Sequence, residues 1–368
     1  MNERVLVVMP SWVGDVVMAT PALRLLRDCM PNTHIAALLR PGLEEILDGA
    51  GLVNRFERGD ARGLTGPMAV ARSIHKARYG SALLLTNSFS TALATWLANI
   101  PCRMGYARDG RRPLLTDPLY APRTGRSWAL VPAVRYYYHA AEAFLGGERT
   151  LEALPSETLT HAPLGRARDT RLELGVTPMQ ERRARAVLDR GGIRPDEPYA
   201  IVNPGGNNPA KRWPAERFAA LADHLSECGL RVLINGAPGE RELVGRIAAR
   251  CRSEPVRLCE LNMTLGALKA VVRGARVLVT NDTGPRHIAA AFGVPMVSLF
   301  GPTDPRWTTI PVCSLPDGSP SEIVLIANRE LPIDRTSNDD PTGSRMERIA
   351  LDEVIEAVDR LLETARPD

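Results

Sequence analysis

Short apolar runs alternate with amphipathic stretches along nearly the whole chain. "RVLVVMP" (4–10), "HIAALLR" (34–40) and "SALLLTN" (81–87) are continuous apolar runs, as expected of strands covered on both faces. Between them, "ATPALRLLRDCM", "PMAVARSIHKARYG" and "FSTALATWLANI" space their apolar residues at helical intervals. Gly80 is expected to close the second of these as a C-cap residue. "CRMGYA" reads as one more short strand.

The second half repeats the theme. "YAIVNPGG" (199–206) is a strand running into a glycine loop, and "AERFAALADHLSECG" is an amphipathic helix. "RVLINGAPGERE" reads as strand, loop and helix start. "VRLCEL", "LGALKAVVRGA", "RVLVTND", "PRHIAAAFG" and "VPMVSLFGP" continue the alternation, and "ALDEVIEAVDRLLETA" is a last helix. Residues 316–347, rich in Pro, Ser, Asp and Gly, read as loop. Repeated strand–helix–strand units predict an α/β protein with parallel sheets covered by helices. A chain of 368 residues exceeds the roughly 250–300 that one core usually supports, so two such domains are expected, with the boundary between about Gly175 and Pro198.

Composition narrows the function. Hydrophobic residues are 44% and charged residues 24%, ordinary for a globular protein. A net charge of +4 lacks the strong basic bias of nucleic-acid binders. The six cysteines are scattered without a C-x-x-C pair, so neither zinc nor a redox dithiol is indicated and a reduced, cytoplasmic compartment fits. "MNERVLVVMPSW" is too short in its apolar run for a signal peptide, and no stretch reaches the ~20 apolar residues of a membrane span.

In parallel α/β sheets, ligands bind outside the carboxyl ends of the strands, which directs attention to four loops. In "MPSWVGDVVMATPAL", Asp15 follows the first strand and Gly14. It reads either as a helix N-cap or as a base, since Thr20-Pro21 is itself a good cap and N1 pair. In "NPGGNNPAKRWPAERF", Gly205 and Gly206 allow close approach of backbone to a ligand. Lys211 and Arg212 stand beside a helix start, where cations oppose the helix dipole unless an anion is bound. In "INGAPGERE", Glu240 is either a dipole-favoured first-turn residue or a ribose-binding carboxylate. In "VTNDTGPRHIAAAFGVPMVSLFGPTDP", Asp282, Thr283, Gly284 and His287 crowd one turn. One cap explains one of them; a polar ligand on the helix N-terminus explains the group.

Taken together, these segments resemble glycosyltransferase family 9, the ADP-heptose:lipopolysaccharide heptosyltransferases. "PSWVGD", "LLLTNSFSTAL" and "AKRWP" come nearest the heptosyltransferase II type. The resemblance spans most of the chain in the right order. It implies a GT-B fold: an acceptor-side Rossmann-like domain (1–180), a nucleotide-sugar-binding Rossmann-like domain (195–348), and a C-terminal helix (349–368) crossing back to the first. It implies inverting transfer of a heptose or related sugar from a nucleotide-diphosphate sugar, ADP-heptose above all, to a lipopolysaccharide core acceptor, with no cofactor and no essential metal. Asp15 then matches the general base, and Lys211 matches the residue on the donor diphosphate and is counted with the catalytic pair. Gly205, Gly206, Glu240, Asp282, Thr283, Gly284 and His287 match the donor site. Given an anionic acceptor, Arg111 and Arg112 in "CRMGYARDGRRPLLTD" are expected to bind it and to favour peripheral contact with the inner face of the membrane. A GT-B-like epimerase or hydrolase, or a nucleotide-sugar-binding protein without catalysis, are the alternatives. Two features depart from the family pattern: Arg286 replaces an apolar residue, and the late segment "NRELPIDRTSND" lacks cysteines.

Overall fold

The computed structural model describes residues 4–125, 127–153, 170–329 and 342–365. It divides into two compact units: Met1–Gly175 with Arg306–Ile310, and Val176–Pro305 with Pro311–Asp368.

The first unit runs β1 (Arg4–Val8), α1 (Val13–Met18), α2 (Thr20–Cys29), β2 (His34–Leu39), α3 (Glu44–Leu47), β3 (Arg55–Arg58), α4 (Gly66–His75), β4 (Ser81–Leu84), α5 (Phe89–Leu97), β5 (Cys102–Tyr106) and β6 (Asp117–Leu119). A two-stranded ribbon, β7 (Arg123–Thr124) with β8 (Ser127–Trp128), and helix α6 (Ala133–Phe144) follow. The sheet order is β3-β2-β1-β4-β5-β6, and all neighbours are parallel. Val5–Val8 and Ala82–Leu84 are buried at the centre of this sheet, which is why those runs carry no alternation.

The second unit opens with α7 (Pro178–Arg190) and runs β9 (Tyr199–Asn203), α8 (Ala215–Glu227), β10 (Arg231–Ile234), α9 (Arg241–Ala248), β11 (Val256–Arg257), α10 (Leu265–Arg273), β12 (Val277–Asn281), α11 (Gly284–Phe292), β13 (Met296–Phe300), β14 (Glu322–Ile326) and α12 (Leu351–Thr364). Its sheet order, β11-β10-β9-β12-β13-β14, repeats that of the first and is again parallel throughout. In each unit the order reverses once, between β1 and β4 and between β9 and β12. Such a switch point leaves a crevice at the strands' carboxyl ends.

Several expectations change. The chain divides at Gly175, ahead of α7, and α7 packs on α10. It starts with a capping box, Thr177 with Gln180, so the stretch expected to hold the boundary contains a full helix of the second unit. α4 ends at His75, short of Gly80, and Arg78 takes the left-handed conformation at φ 51° on the way to β4. β14 lies inside the stretch read as loop, as an edge strand pairing with β13. The last helix, expected to cross back to the first domain, packs on α8, β12 and β13 of the second unit. Val354, Ala357, Val358 and Leu361 are buried in that core, and each fully buried aliphatic side chain of Val or Leu size is worth about 1.5–3 kcal/mol. It is Arg306–Ile310 that joins the first unit instead. Of the cysteine-free segment (328–339), residues 330–339 fall outside the described residues.

Candidate active site

In the first unit the loops after β1 and β4 frame a cavity of about 400 Å³, lined by Trp12, Asp15, Asn87, Arg108, Tyr136 and Tyr137 among others. This is the switch point. Asp15 is not in a free loop: it occupies the first turn of the short helix α1, where a carboxylate is favoured by the helix dipole. Thr20 does not cap α2. Its hydroxyl donates to the Val17 carbonyl at 2.7 Å and accepts from Glu173 N at 2.9 Å. The buried Tyr137 hydroxyl donates to Asp15 Oδ1 at 3.0 Å and so fixes the carboxylate in the cavity wall. Burial, and then the Asp15 charge, hold the Tyr137 hydroxyl well above its ordinary pKa, so it stays a donor.

Arg111 corrects an expectation. It is fully buried and cannot meet an acceptor at the surface. Its Nε donates to Tyr106 O at 2.8 Å, one terminal nitrogen donates to Thr86 O, and the other to Asn87 Oδ1 at 3.0 Å. Burial lowers its pKa to about 10, so at neutral pH it remains a cation spent on holding the post-β4 loop. Tyr136 adds a hydrogen bond to the same Asn87 Oδ1 at 3.0 Å. Arg112 is exposed and does not line the cavity. The arginine that does is Arg108. Its guanidinium lies 4.3 Å from the centre of the Trp128 ring, with Arg123 at 4.3 Å from the same ring, and its buried Nε has no hydrogen-bond partner among the described residues. The four arginines of this stretch look alike in sequence; only the turn after β5 decides which one enters the cavity.

The second unit's switch point brings together the loops after β9 and β12. A buried polar network builds it. Asn203 Nδ2 donates to Thr283 Oγ1 at 2.8 Å and to Thr280 Oγ1 at 3.1 Å, and Asn203 Oδ1 accepts from Asn235 Nδ2 at 2.6 Å. Asn281, also buried, donates to the carbonyls of Pro204 and Gly205 at 2.8 and 3.1 Å. The three asparagines stitch three strand ends together; Asn203 and Asn235 were not singled out from sequence, because each alone reads as a turn residue. Arg212 donates twice to Gly206 O, at 2.8 and 3.1 Å.

Glu240 is a brace of this loop. Its carboxylate accepts from Gly206 N and Ala237 N, both at 2.8 Å. A Cβ at position 205 would stand 2.3 Å from Glu240 Oε2, so Gly205 is required by this brace, whereas Gly206 has ordinary space around it. Each of the Glu240 oxygens serves one backbone N–H group of the loop and keeps a further lone pair.

The turn after β12 places Asp282, Thr283, Gly284 and His287 together. Thr283 is the N-cap of α11 in extended conformation, yet gives no side-chain cap, because its hydroxyl is turned back to Asn203. Gly284 and Pro285 open the helix. Lys211 Nζ reaches Asp282 Oδ2 at 3.2 Å. His287 is buried; burial first, then Arg286, lower its pKa to about 3, and its Nδ1 has no hydrogen-bond partner among the described residues. It is therefore a neutral ring at the helix start. Arg286 brings its own counter-ion: it pairs with Glu322 of β14 at 2.6 and 3.1 Å and lies 5.0 Å from the Phe300 ring centre. Glu322 so accommodates the charge of Arg286, which is itself buried.

Comparison with known proteins agrees with this architecture. Residues 68–330 match the profile of Glycosyltransferase family 9 (heptosyltransferase). The chain is 29% identical over 320 residues to the lipopolysaccharide heptosyltransferase 2 of Escherichia coli K12, covering 83% of this chain and 84% of that protein. It is 27% identical over 316 residues to the lipooligosaccharide heptosyltransferase 2 of Haemophilus ducreyi, covering 83% and 85%. Among solved structures, a family 9 glycosyltransferase from Veillonella parvula superimposes with a TM-score of 0.77 at 22% identity, over 98% of this chain and 97% of that one. The E. coli ADP-heptose lps heptosyltransferase II gives 0.74 at 24%, over 99% of each. The two Rossmann-like units are those of the GT-B class, and the chain belongs to glycosyltransferase family 9, the heptosyltransferases.

Proposed function

We propose that the protein transfers a heptose from ADP-heptose to a lipopolysaccharide core acceptor with inversion at the anomeric carbon. The observation that carries the donor half is the N-terminus of α11, left without a side-chain cap and flanked by Lys211 and the neutral His287. Backbone N–H groups at a helix start hold anions, and a diphosphate there would draw Lys211 away from Asp282. Stabilising the charge that develops on the leaving diphosphate is a large catalytic term. No metal is needed for that charge in this reading.

Asp15 is the base. Inversion takes a single displacement: the acceptor hydroxyl oxygen forms the bond to the anomeric carbon, its proton passes to Asp15, and the bond to the diphosphate oxygen breaks. Tyr137 orients the carboxylate for this. Arg108, facing the same cavity, recognises an anionic group of the acceptor through its planar donors. The relatives named above support the substrate pair, since their names are those of lipopolysaccharide and lipooligosaccharide heptosyltransferases. Among the described residues no helix is long and apolar enough to cross a membrane; the proposal places the enzyme in the cytoplasm, at the inner face of the membrane, where such an acceptor is presented.

The test is purified protein with ADP-heptose and a defined core acceptor, read by mass spectrometry. A gain of one heptosyl residue that needs both substrates is expected. Consumption of the donor at the same rate without acceptor points to a hydrolase or epimerase and overturns the proposal. Within it, Arg108→Ala raises the acceptor KM about tenfold or more, the scale of a lost charged hydrogen bond, while Arg112→Ala leaves it unchanged. Equal effects of the two changes remove Arg108 from the acceptor site.

A further inference from the structure

At the amino ends of the second unit's strands, opposite the donor loops, lies a cavity of about 880 Å³. Pro198, Leu230 and Arg276, each just ahead of β9, β10 and β12, are among the residues on its wall. Three side chains of metal-ligand type meet there. His224 and Cys228 stand four residues apart on the last turn of α8, so they share a face. Asp359 comes from α12. His224 Nε2 lies 2.8 Å from Asp359 Oδ1 and 3.6 Å from Cys228 Sγ, and the three ligand atoms all fall within 4.8 Å of one another.

We propose that His224, Cys228 and Asp359 bind a borderline divalent cation of the Zn²⁺ type, with a fourth position open to water from the cavity. The donor set of one imidazole nitrogen, one thiolate and one carboxylate suits Zn²⁺ or Co²⁺ and not Mg²⁺ or Ca²⁺, which prefer oxygen ligands alone. Tetrahedral bonds of about 2.0–2.3 Å to the metal set ligand atoms about 3.3–3.6 Å apart. The sulfur-to-nitrogen distance already has that value. The nitrogen-to-oxygen distance is shorter because a proton lies between them; replacing the proton by the metal moves the carboxylate out by about half an ångström. On binding, the thiol releases its proton to solvent, and the imidazole presents the Nε2 lone pair with its ring proton on Nδ1.

The surroundings favour a cation. Asp196, Glu197 and Glu363 line the same cavity with Asp359, against Arg276. Cys228 is the C-cap of α8, the end of a helix that carries partial negative charge. A His–Asp hydrogen bond alone would tie α8 to α12 without any thiol. The sulfur beside it is what turns a tie into a ligand set. The cation's effect is then to clamp the last helix onto the sheet, at the far ends of the strands from the donor turn.

The experiment uses the full chain, reduced and freed of metal with a chelator. Titration with Co²⁺ should give one equivalent bound, a near-ultraviolet thiolate-to-cobalt band and intense tetrahedral visible bands, all displaced by Zn²⁺. Cys228→Ser abolishes the thiolate band while keeping the metal-free Tm of the parent, and His224→Gln and Asp359→Asn each weaken Zn²⁺ binding at least tenfold. Zn²⁺ also protects Cys228 from iodoacetamide, read by peptide mass, while the exposed Cys29 still reacts. Absence of binding at micromolar Zn²⁺ overturns the proposal. So does a thiolate band that survives Cys228→Ser, or unchanged affinity in Asp359→Asn.

Discussion

The two units share one topology and furnish its switch point with opposite chemistry. In the first, one helix start at the switch point holds a carboxylate and another is capped by its own hydroxyl. Asp15 sits in the first turn of α1, and Ser88 caps α5 by accepting from Thr91 N at 3.4 Å. In the second, β9 runs into a glycine loop, and α11 begins without a side-chain cap because Thr283 is tied into the buried asparagine network. Topology decides where a site can be; which side chains stand at the helix starts decides which charge it takes. A helix start that already holds a carboxylate offers it to a hydroxyl. An uncapped start beside a lysine calls for an anion.

The largest expected effect breaks the first half of that contrast. Asp15→Asn keeps the size and a hydrogen bond to Tyr137 but removes the base. Turnover should fall by roughly 10²–10⁴-fold, the usual worth of a general base, with ADP affinity unchanged in calorimetry. Turnover within a few-fold of the parent would leave Asp15 as a helix residue only.

Lys211→Ala addresses the second half. A charge-assisted contact to phosphate is worth about 1.5–3 kcal/mol, so ADP should bind roughly ten- to a hundredfold more weakly and adenosine almost as before. Asp282 is nearly buried, with 8% of its side chain exposed, so removing the lysine should also cost stability. Equal losses for ADP and adenosine would place the lysine away from the phosphates.

His287 sharpens the contrast through pH. Its folded pKa of about 3 lies below the ordinary 6.5, so the neutral ring contributes stability that is fully present above pH 6.5. That stability is lost as pH falls from 6.5 toward 3. At pH 5 the loss is about 2 kcal/mol, from 1.36 kcal/mol per unit. Urea melts of the parent and of His287→Gln at pH 7 and pH 5 should show that part of the slope missing in the variant. Identical slopes would mean the ring is not held neutral.

The smallest effect is a control on capping. Ser88→Ala should cost about 1 kcal/mol of stability, as cap losses do, and leave ADP affinity untouched, since that helix start is satisfied by its own hydroxyl. A change in ADP binding there would undo the distinction between the two switch points.

What the sequence determined by itself is the strand–helix alternation, the two-unit organisation and the polar loops at the strands' carboxyl ends. Those follow from local rules: buried parallel strands must be continuously apolar, and glycine and proline mark strand and helix ends. Asp15, Lys211 and the Asp282–His287 turn were legible for the same reason, as polar residues crowded at strand ends. Only the tertiary structure decided the rest. Arg108, Arg111 and Arg112 are alike in sequence, and burial alone makes one a brace, one a wall of the cavity and one a surface residue. Glu240 reads equally as ligand contact or brace until Gly206 N and Ala237 N are seen on it. α12 is amphipathic enough to pack on either unit, and the apolar groove it finds is a property of the assembled second sheet. The pairing of Arg286 with Glu322, 36 residues away, rests on β14 pairing with β13, against which α11 packs. Each of these is a question of which distant groups share a dry space, and local sequence carries no record of that.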